Sequence, residues 1–242
     1  MEGLSHLGPR IIISLNDGKF FITESVIFGV ILAAVIAALA IWMTNNLTAI
    51  PSKKQVVAET IVEMVYNLTK RTMGAHCVNF APYIGTLIIF ILLGNMLGLL
   101  GFRPVTADVN MTFALSTVTF FLVQFNSFRS MGFKGKIKHM CDPFPFLFPL
   151  KIIEALTQPI SLGFRLFGNI LGGFIVMEII FAALEGLSHM LHLKFPLLIA
   201  VIPLPGKIFF DIFEPVVQAY IFTMLTMVFI SIEIIKQGHE GH

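Results

Sequence analysis

Two apolar stretches of about forty residues each constrain the fold of this chain more than any other feature. They run from about residue 145 to 184 and from about 195 to 235, and neither contains a polar turn long enough to let the chain leave an apolar phase and return. A perpendicular helix needs only ~20 residues to cross the hydrocarbon core of a bilayer. Each stretch is therefore either two short spans with almost no loop or one long, oblique helix. We favour the second arrangement, a hairpin of two steeply tilted helices over residues 145–235.

Three shorter apolar stretches, at about 26–43, 81–100 and 111–125, bring the predicted number of membrane spans to five. The chain is 56% hydrophobic and 12% charged, whereas an average soluble domain carries roughly 25% charged residues. The sequence therefore predicts an all-α polytopic membrane protein, with residues 1–242 forming a single membrane domain. The formal net charge of +2 gives no indication of nucleic-acid binding.

Residues 51–74 show a different pattern, in which apolar and charged residues occupy opposite faces of a helix. The apolar face carries Val56, Val57, Ile61, Val65 and Leu68, and the polar face carries Lys53, Lys54, Glu59, Glu63 and Lys70. A helix of this kind lies in the membrane surface more readily than it spans the bilayer. We predict an amphipathic surface helix here, in addition to the five spans.

The distribution of lysine and arginine predicts the orientation of the chain in the membrane. Connections 44–80 and 126–144 contain four such residues each, whereas connections 101–110 and 185–194 contain one each. Positive charges accumulate in cytoplasmic loops, so the two four-charge connections are expected inside. This arrangement places residues 1–25 outside, as an external N-terminal segment, and the C-terminus in the cytoplasm.

Arg165 lies in the middle of the fourth apolar stretch and is the most informative single residue. A guanidinium remains charged at any ordinary pH, and a charge at the bilayer centre costs at least ~3 kcal/mol unless something anionic meets it. A helical wheel places several small or polar residues on the same stripe, namely Glu154, Ser161, Gly168, Asn169 and Gly172. Either an internal carboxylate neutralises Arg165 in an ordinary packing interface, or the stripe faces a functional partner.

The fifth stretch carries a second polar stripe, formed by Asp211, Glu214 and Gln218, with Lys207 on the same side. Intramembrane carboxylates, an amide and a basic group on two neighbouring helices are typical of an ion or proton pathway. The alternative is a buried structural ion pair between Lys207 and Asp211. On the fourth stretch, Glu178 and Glu185 lie on a different face from Arg165 and are further candidates for such a pathway.

No recognisable catalytic motif accompanies these residues. The sequence contains no HExxH zinc motif, no Gly-rich phosphate loop and no Gly-x-Ser-x-Gly elbow. We therefore expect no catalytic site of its own, no cofactor and no metal site. The spacing of Cys77 and Cys141 suggests neither a disulfide framework nor a metal site, and Asp108 and Asp142 are expected to be solvated in loops.

Four sequence motifs then carry a resemblance to a known family. They are SLGFRLFGN at 161–169, QAYIFTMLTMV at 218–228, GNMLGLLG at 94–101 and TADVNMT at 106–112. In this order they resemble the signatures of subunit a of F-type ATP synthases, especially its bacterial and chloroplast members. The resemblance runs from about residue 51 to 235.

The resemblance implies the stator half of a rotary motor, which delivers H+ or Na+ through two half-channels to the carboxylates of a ring of c subunits. Arg165 would be the essential arginine between the half-channels, with Gln218 close to it and Asn169 lining the ring-facing groove. Candidates for the inner half-channel are Glu154, Thr157 and Ser161. The implied partners are the c-ring, the subunit b stalk, the rest of the complex and the lipid bilayer, in a bacterial plasma membrane or, as second choice, a thylakoid membrane.

The sequence departs from the family pattern at two acidic positions. Phe174 stands where many members carry glutamate, and Gly98 stands where an acid is common. We expect Glu178 to replace the first, and Asp211 with Glu214 to form the rest of the outer pathway. An ion-coupled secondary transporter subunit remains the alternative, although the chain lacks the repeated halves typical of transporters.

Overall fold

The computed structural model describes residues 11–15, 20–45, 47–48, 51–141, 146, 148–190 and 202–235. Within these residues, five segments are long and apolar enough to cross a membrane: Glu24–Thr44, Ala75–Leu100, Val109–Arg129, Phe148–Ser188 and Leu204–Ile234. They coincide with the five predicted stretches, so the prediction of a polytopic helical protein is confirmed. Residues 195–201, where the fifth predicted stretch begins, lie outside the described residues, as do residues 1–10 and 16–19 of the N-terminal segment and the tail from 236.

The helices are α1 (Glu24–Thr44), α2 (Lys53–Met73), α3 (Ala81–Met96), α4 (Val109–Cys141), α5 (Phe148–Met190), α6 (Leu204–Ile208) and α7 (Glu214–Ile235). Short 3-10 segments at Ala75–Phe80, Leu97–Leu100 and Val105–Ala107 join or extend them. A π-helical turn, Phe209–Phe213, connects α6 directly to α7. Residues 204–235 therefore form one continuous helix, which is π-helical over Phe209–Phe213.

The predicted surface helix is present as α2. Ser52 caps its start by accepting a hydrogen bond from the backbone N–H of Gln55 at 3.4 Å. Gly74, with φ of 88°, ends it in a conformation that glycine adopts easily. One face of α2 is buried, at Gln55, Thr69 and Met73, while apolar side chains such as Val57 remain exposed. This exposed apolar face is what a helix on a membrane surface requires.

A short antiparallel hairpin precedes α1 and was not predicted. Strands β1 (Ile11–Leu15) and β2 (Phe20–Thr23) pair with Leu15 opposite Phe20. The four residues between them include Asp17-Gly18, a strong turn signal when apolar runs flank it. This sequence signal could have identified the hairpin.

Helix α4 extends further than the third apolar stretch. Residues 126–141, predicted as part of a connection, are helical and interrupted at Gly132, where φ is 69° and ψ is 166°. After this break the chain returns far enough for the Lys136 ammonium to reach Glu233 near the end of α7, at 2.6 Å. One of the four basic residues predicted in this connection, Lys136, therefore packs against α7 instead of lying in a loop.

Helix α7 is the centre of the packing. Its buried side chains Phe222, Met227 and Ile230 are at most 1% exposed. They pack in two apolar clusters with residues of four other helices, namely Met73 of α2, Ile84 and Ile91 of α3, Val123 of α4 and Leu166 of α5. Helix α5 has 43 residues, or roughly 65 Å at 1.5 Å per residue. Because this is about twice the ~30 Å thickness of a hydrocarbon core, α5 crosses obliquely or leaves the bilayer at one end.

Candidate functional site

Arg165 projects from the outer surface of α5. Its neighbours Leu162, Leu166 and Ile170 are buried against the bundle, whereas Arg165 is exposed. Within the described residues, Arg165 makes no hydrogen bond and no ion pair. The interpretation in which an internal carboxylate neutralises Arg165 is therefore wrong for the described part of the chain. The predicted stripe is also exposed, at Glu154, Ser161, Gly168, Asn169 and Gly172.

One turn along α5 from Arg165, an amide pair joins α5 to α7. The Asn169 Nδ2 group donates a hydrogen bond to Gln218 Oε1 at 2.8 Å. Gln218 is only 2% exposed, and its Nε2 group has no hydrogen-bond partner among the described residues. A buried amide donor without a partner is costly. The Gln218 amide is therefore available to a water molecule or to a group that approaches Asn169.

The next turn along α5 places a carboxylate against a glycine. A Cβ built at Gly173 would lie 3.0 Å from Glu214 Oε2 and 2.6 Å from Phe210 Cδ1. Gly173 follows Asn169 by four residues on α5, and Glu214 precedes Gln218 by four residues on α7. The two pairs are thus successive rungs of an antiparallel contact, about 6 Å apart along the helices. Only glycine at position 173 leaves room for the carboxylate in this place.

Asp211 points towards a different helix because it lies in the π-helical turn. Its Oδ1 is 3.5 Å from the position where a Cβ of Gly98 would stand, and its buried Oδ2 has no hydrogen-bond partner among the described residues. Asp211 and Glu214 nevertheless line one cavity, and Gln218 pairs with Asn169 one turn further along α7. That the three residues share one stripe stays a prediction. Lys207 and Asp211 line the same cavity but are not within ion-pair distance in the described structure.

These carboxylates line one cavity of about 400 Å³, which we call the carboxylate cavity. Four acidic residues contribute to it, Glu24, Glu178, Asp211 and Glu214, together with Arg103 and Lys207. Its apolar wall contains Phe102, Phe174, Phe181 and Phe210, and Asn95 also lines it. Asn95 is 1% exposed and its Nδ2 group has no partner among the described residues. A cavity that combines carboxylates with unpaired buried polar groups is suited to hold water and to admit a small cation.

The structure separates the other predicted residues into two groups. Glu178, predicted on the far face of α5, joins Asp211 and Glu214 in the carboxylate cavity. Glu185 is exposed and does not belong to that cavity. Glu154, Thr157 and Ser161 lie on the exposed side of α5, on the opposite side of Arg165 along the helix, and Thr157 donates to the Ile153 carbonyl at 2.7 Å.

Two acidic residues were missed or misplaced by the sequence interpretation. Glu24, expected in an external segment, is the first residue of α1 and lines the carboxylate cavity. Asp108, expected to be solvated, is 4% exposed and accepts a hydrogen bond from Thr23 Oγ1 at 2.7 Å. No sequence signal relates residues 85 positions apart, so this contact becomes visible only in the fold. Among the described residues, no group of three His, Cys, Asp or Glu side chains is arranged to hold a metal ion.

Comparison with known proteins adds a family to this geometry. A family model described as ATP synthase A chain matches residues 26–231. The ATP synthase subunit a of Moorella thermoacetica is 34% identical over 227 residues, which cover 93% of each chain. The sodium ion specific ATP synthase subunit a of Propionigenium modestum is 32% identical over 206 residues, covering 78% of this chain and 66% of that protein. The region that the family model matches contains Arg165 and every cavity carboxylate except Glu24.

Proposed function

The chain is a multi-pass membrane protein of the ATP synthase subunit a family, and on this premise we propose that it is the ion-translocating stator subunit of a rotary F-type ATP synthase. It contains no catalytic site of its own in this proposal. Its partners are a c-ring with membrane-buried carboxylates, the subunit b stalk and the rest of the complex. The hairpin of residues 145–235 faces the ring.

The single observation that carries the proposal is the uncompensated charge of Arg165. The residue lies within a candidate membrane span, is exposed on the chain's own surface, and has no anionic partner among the described residues. A persistent cation at this depth requires an anion. A ring carboxylate that arrives, releases its ion and moves on supplies that anion from outside the chain.

The carboxylate cavity acts as the outer half-channel. A cation enters it, passes Glu178, Asp211 and Glu214, and reaches the Asn169–Gln218 pair beside Arg165. The positive charge of Arg165 favours the ionised form of an approaching ring carboxylate. It also repels cations that would otherwise pass directly between the two half-channels. The exposed polar residues Glu154, Thr157 and Ser161, on the other side of Arg165, line the inner route.

The same proposal fixes the orientation of the chain. The N-terminus lies outside and the C-terminus in the cytoplasm of a bacterial plasma membrane. Helix α2 then lies on the cytoplasmic membrane surface, because it belongs to the connection that carries four basic residues. The carboxylate cavity opens on the opposite, external side, where α1 begins and residues 101–108 connect α3 to α4.

Ion-driven ATP synthesis in vesicles that hold the whole complex tests the proposal. Arg165→Ala and Arg165→Lys should both abolish coupled synthesis while the complex still assembles. The lysine variant fails because its compact ammonium lacks the planar fork of the guanidinium. Arg129→Ala is the matched control, because Arg129 is an exposed cation on α4 and has no role in the pathway.

Normal ATP synthesis by Arg165→Ala would show that the arginine is a packing residue and that the rotary-stator function is wrong. A second measurement separates the stator from the alternative transporter. The purified chain alone, inserted into vesicles, should move neither H+ nor Na+ against a gradient. Ion-coupled transport by the isolated chain would instead favour a secondary transporter.

A further inference from the structure

We propose that Glu24 is the carboxylate that receives the cation at the mouth of the carboxylate cavity, and that the Thr23–Asp108 hydrogen bond positions it. The inference rests on the proposed function and adds a pathway residue on α1. Glu24 and Thr23 precede the region that the family model matches, which begins at residue 26. Their role therefore has to be argued from the geometry of this chain.

Glu24 lines the cavity from the start of α1. It is the first residue of a candidate membrane span, Glu24–Thr44, and it is half-buried. Phe28, one turn further, packs against Phe102 with ring centroids 5.2 Å apart. This contact holds the start of α1 against the segment that connects α3 to α4. Glu24 thus lines the cavity from a half-buried position, whereas Asn95 lines it from an almost completely buried one.

The chemistry at the two ends of the cavity points to a hydrated cation. Glu24 makes no hydrogen bond and no ion pair with the described residues, so its carboxylate is available to a ligand. At the buried end, Asn95 is 1% exposed and its Nδ2 group lacks a partner within the described structure. A buried amide in this state normally binds ordered water. A water molecule at the buried end would satisfy this donor, and Glu24 supplies a carboxylate oxygen, the preferred ligand of a small hard cation.

Glu24 also counters the positive charge in the cavity. Lys207 lines the same cavity, and its charge repels an incoming cation. The other carboxylates, Glu178, Asp211 and Glu214, remain when Glu24 is removed. Loss of Glu24 should therefore lower the local concentration of the cation without changing the later transfer to the ring.

The Thr23–Asp108 pair fixes the start of α1, directly beside Glu24. Thr23 is 2% exposed and Asp108 4% exposed, and the hydroxyl donates to Asp108 Oδ2 at 2.7 Å. The other oxygen, Oδ1, accepts from the backbone N–H of Asn110 at 3.0 Å and so caps the first turn of α4. A buried carboxylate that loses a hydrogen-bond donor is strongly penalised. The pair is therefore a persistent link between α1 and α4, and Thr23 acts through Glu24 as a positioning residue.

The experiment is a titration of ATP synthesis by the whole complex in vesicles at a fixed membrane potential. The coupling ion is varied only on the cavity side, as H+ in one series and as Na+ in another. Glu24→Gln should raise the half-saturating ion concentration roughly 10-fold, the low end of electrostatic focusing effects, and leave the maximal rate unchanged. Glu63→Gln, an exposed acid on α2 outside the cavity, should change neither value.

Thr23→Val tests the positioning role. It should reproduce the shift of Glu24→Gln at an unchanged maximal rate, and the double variant should shift no further than Glu24→Gln alone. Thr23→Ser, which keeps the hydroxyl, should restore the wild-type value and so controls for misfolding. An additive double variant, or a failure of serine to rescue, would overturn the positioning role.

The outcome for Glu24 is distinguishable from the outcome for the proposed function. If Arg165→Ala abolishes synthesis while Glu24→Gln leaves the half-saturating concentration unchanged, the rotary-stator function stands and the Glu24 inference is wrong. A lower maximal rate without a shift in half-saturation also contradicts a role at the mouth. If Arg165→Ala retains synthesis, the proposed function itself is lost, and the Glu24 inference is lost with it.

Discussion

The Asp211 carboxylate fills the space in front of Gly98, with Oδ1 3.5 Å from the position where a Cβ at residue 98 would stand. Asp211 belongs to the π-helical turn before α7, and Gly98 belongs to the 3-10 turn after α3. A carboxylate could therefore occupy this point of the cavity from either the π-helical turn or the 3-10 turn. What matters for the ion is a carboxylate at this point, whichever backbone supplies it.

This relationship predicts that the carboxylate can be moved from residue 211 to residue 98 with most of the activity retained. Asp211→Gly should lower ion-driven ATP synthesis at least 10-fold, because the cavity loses a buried acceptor. The double variant Gly98→Asp/Asp211→Gly should recover most of the activity, since the new side chain starts beside the vacated space. Gly186→Asp/Asp211→Gly is the control, because Gly186 has open space and lies outside the cavity. Equal activity of the two double variants would show that net charge alone, and not the location of the carboxylate, determines the rate.

Gly173 gives a second prediction, because a methyl group at this position would collide with the side chains of Phe210 and Glu214. Gly173→Ala would place a Cβ 2.6 Å from Phe210 Cδ1 and 3.0 Å from Glu214 Oε2. We expect the carboxylate to be displaced and ATP synthesis to fall several-fold, with the complex still assembled. Gly186→Ala should have no effect, because nothing lies within 4 Å of its Cβ position.

A double variant distinguishes displacement of the Glu214 carboxylate from general overpacking between α5 and α7. If Gly173→Ala acts through Glu214, then Gly173→Ala/Glu214→Gln should be no less active than Glu214→Gln alone. A further loss in the double variant would show that the alanine damages the packing of α5 against α7 independently of the carboxylate.

The membrane spans and Arg165 could be predicted because their signals are local. Long apolar runs identify membrane helices without knowledge of their neighbours, and the amphipathic period of residues 51–74 correctly predicted a helix, α2. Arg165 stood out because its charge is incompatible with its sequence surroundings. The exposed stripe on α5 also followed from helical geometry, because residues 154–172 are helical throughout, Pro159 included.

The remaining features depend on geometry that a helical wheel does not contain. The π-helical turn adds a residue to one turn, so a 100° step per residue does not describe the angle between Asp211 and Glu214 correctly. Glu24 and Asp108 acquire their surroundings through contacts between distant segments, since Thr23 and Asp108 are 85 residues apart. The extension of α4 beyond Gly132 was missed because basic residues lower the hydrophobicity of the segment without lowering its tendency to form a helix.

The ion pair between Lys136 and Glu233 predicts a stability effect away from the pathway. The Lys136 Nζ lies 2.6 Å from Glu233 Oε2 and 2.6 Å from Ser127 Oγ, and the lysine side chain is 7% exposed. Lys136→Met should destabilise the chain by about 3 kcal/mol, because the largely buried Glu233 carboxylate loses the cation that neutralises it. The check is the temperature at which the detergent-solubilised complex loses the chain.

Two further variants decide whether this loss comes from the broken pair. Lys136→Met/Glu233→Leu should recover most of the stability, because replacing both members of a buried pair by apolar groups is nearly neutral. Arg129→Met removes an exposed cation from the same helix and should leave the dissociation temperature unchanged. A double variant as unstable as Lys136→Met would mean that the lysine stem, rather than the charge pair, holds α4 against α7.

The amide pair beside Arg165 gives the last prediction. Asn169 donates to Gln218 Oε1 at 2.8 Å, and Gln218 Nε2 has no partner in the described part of the chain. Asn169→Ala should lower ATP synthesis roughly 10-fold, since the buried Gln218 amide then loses its fixed orientation, at a cost of about 1–3 kcal/mol. Gln218→Ala should cause a similar loss. Because the two side chains act as one unit, the double variant should lose little more than either single variant. Independent, multiplicative losses would show that each amide contacts the ion path or the ring separately, and that their hydrogen bond is incidental to transfer.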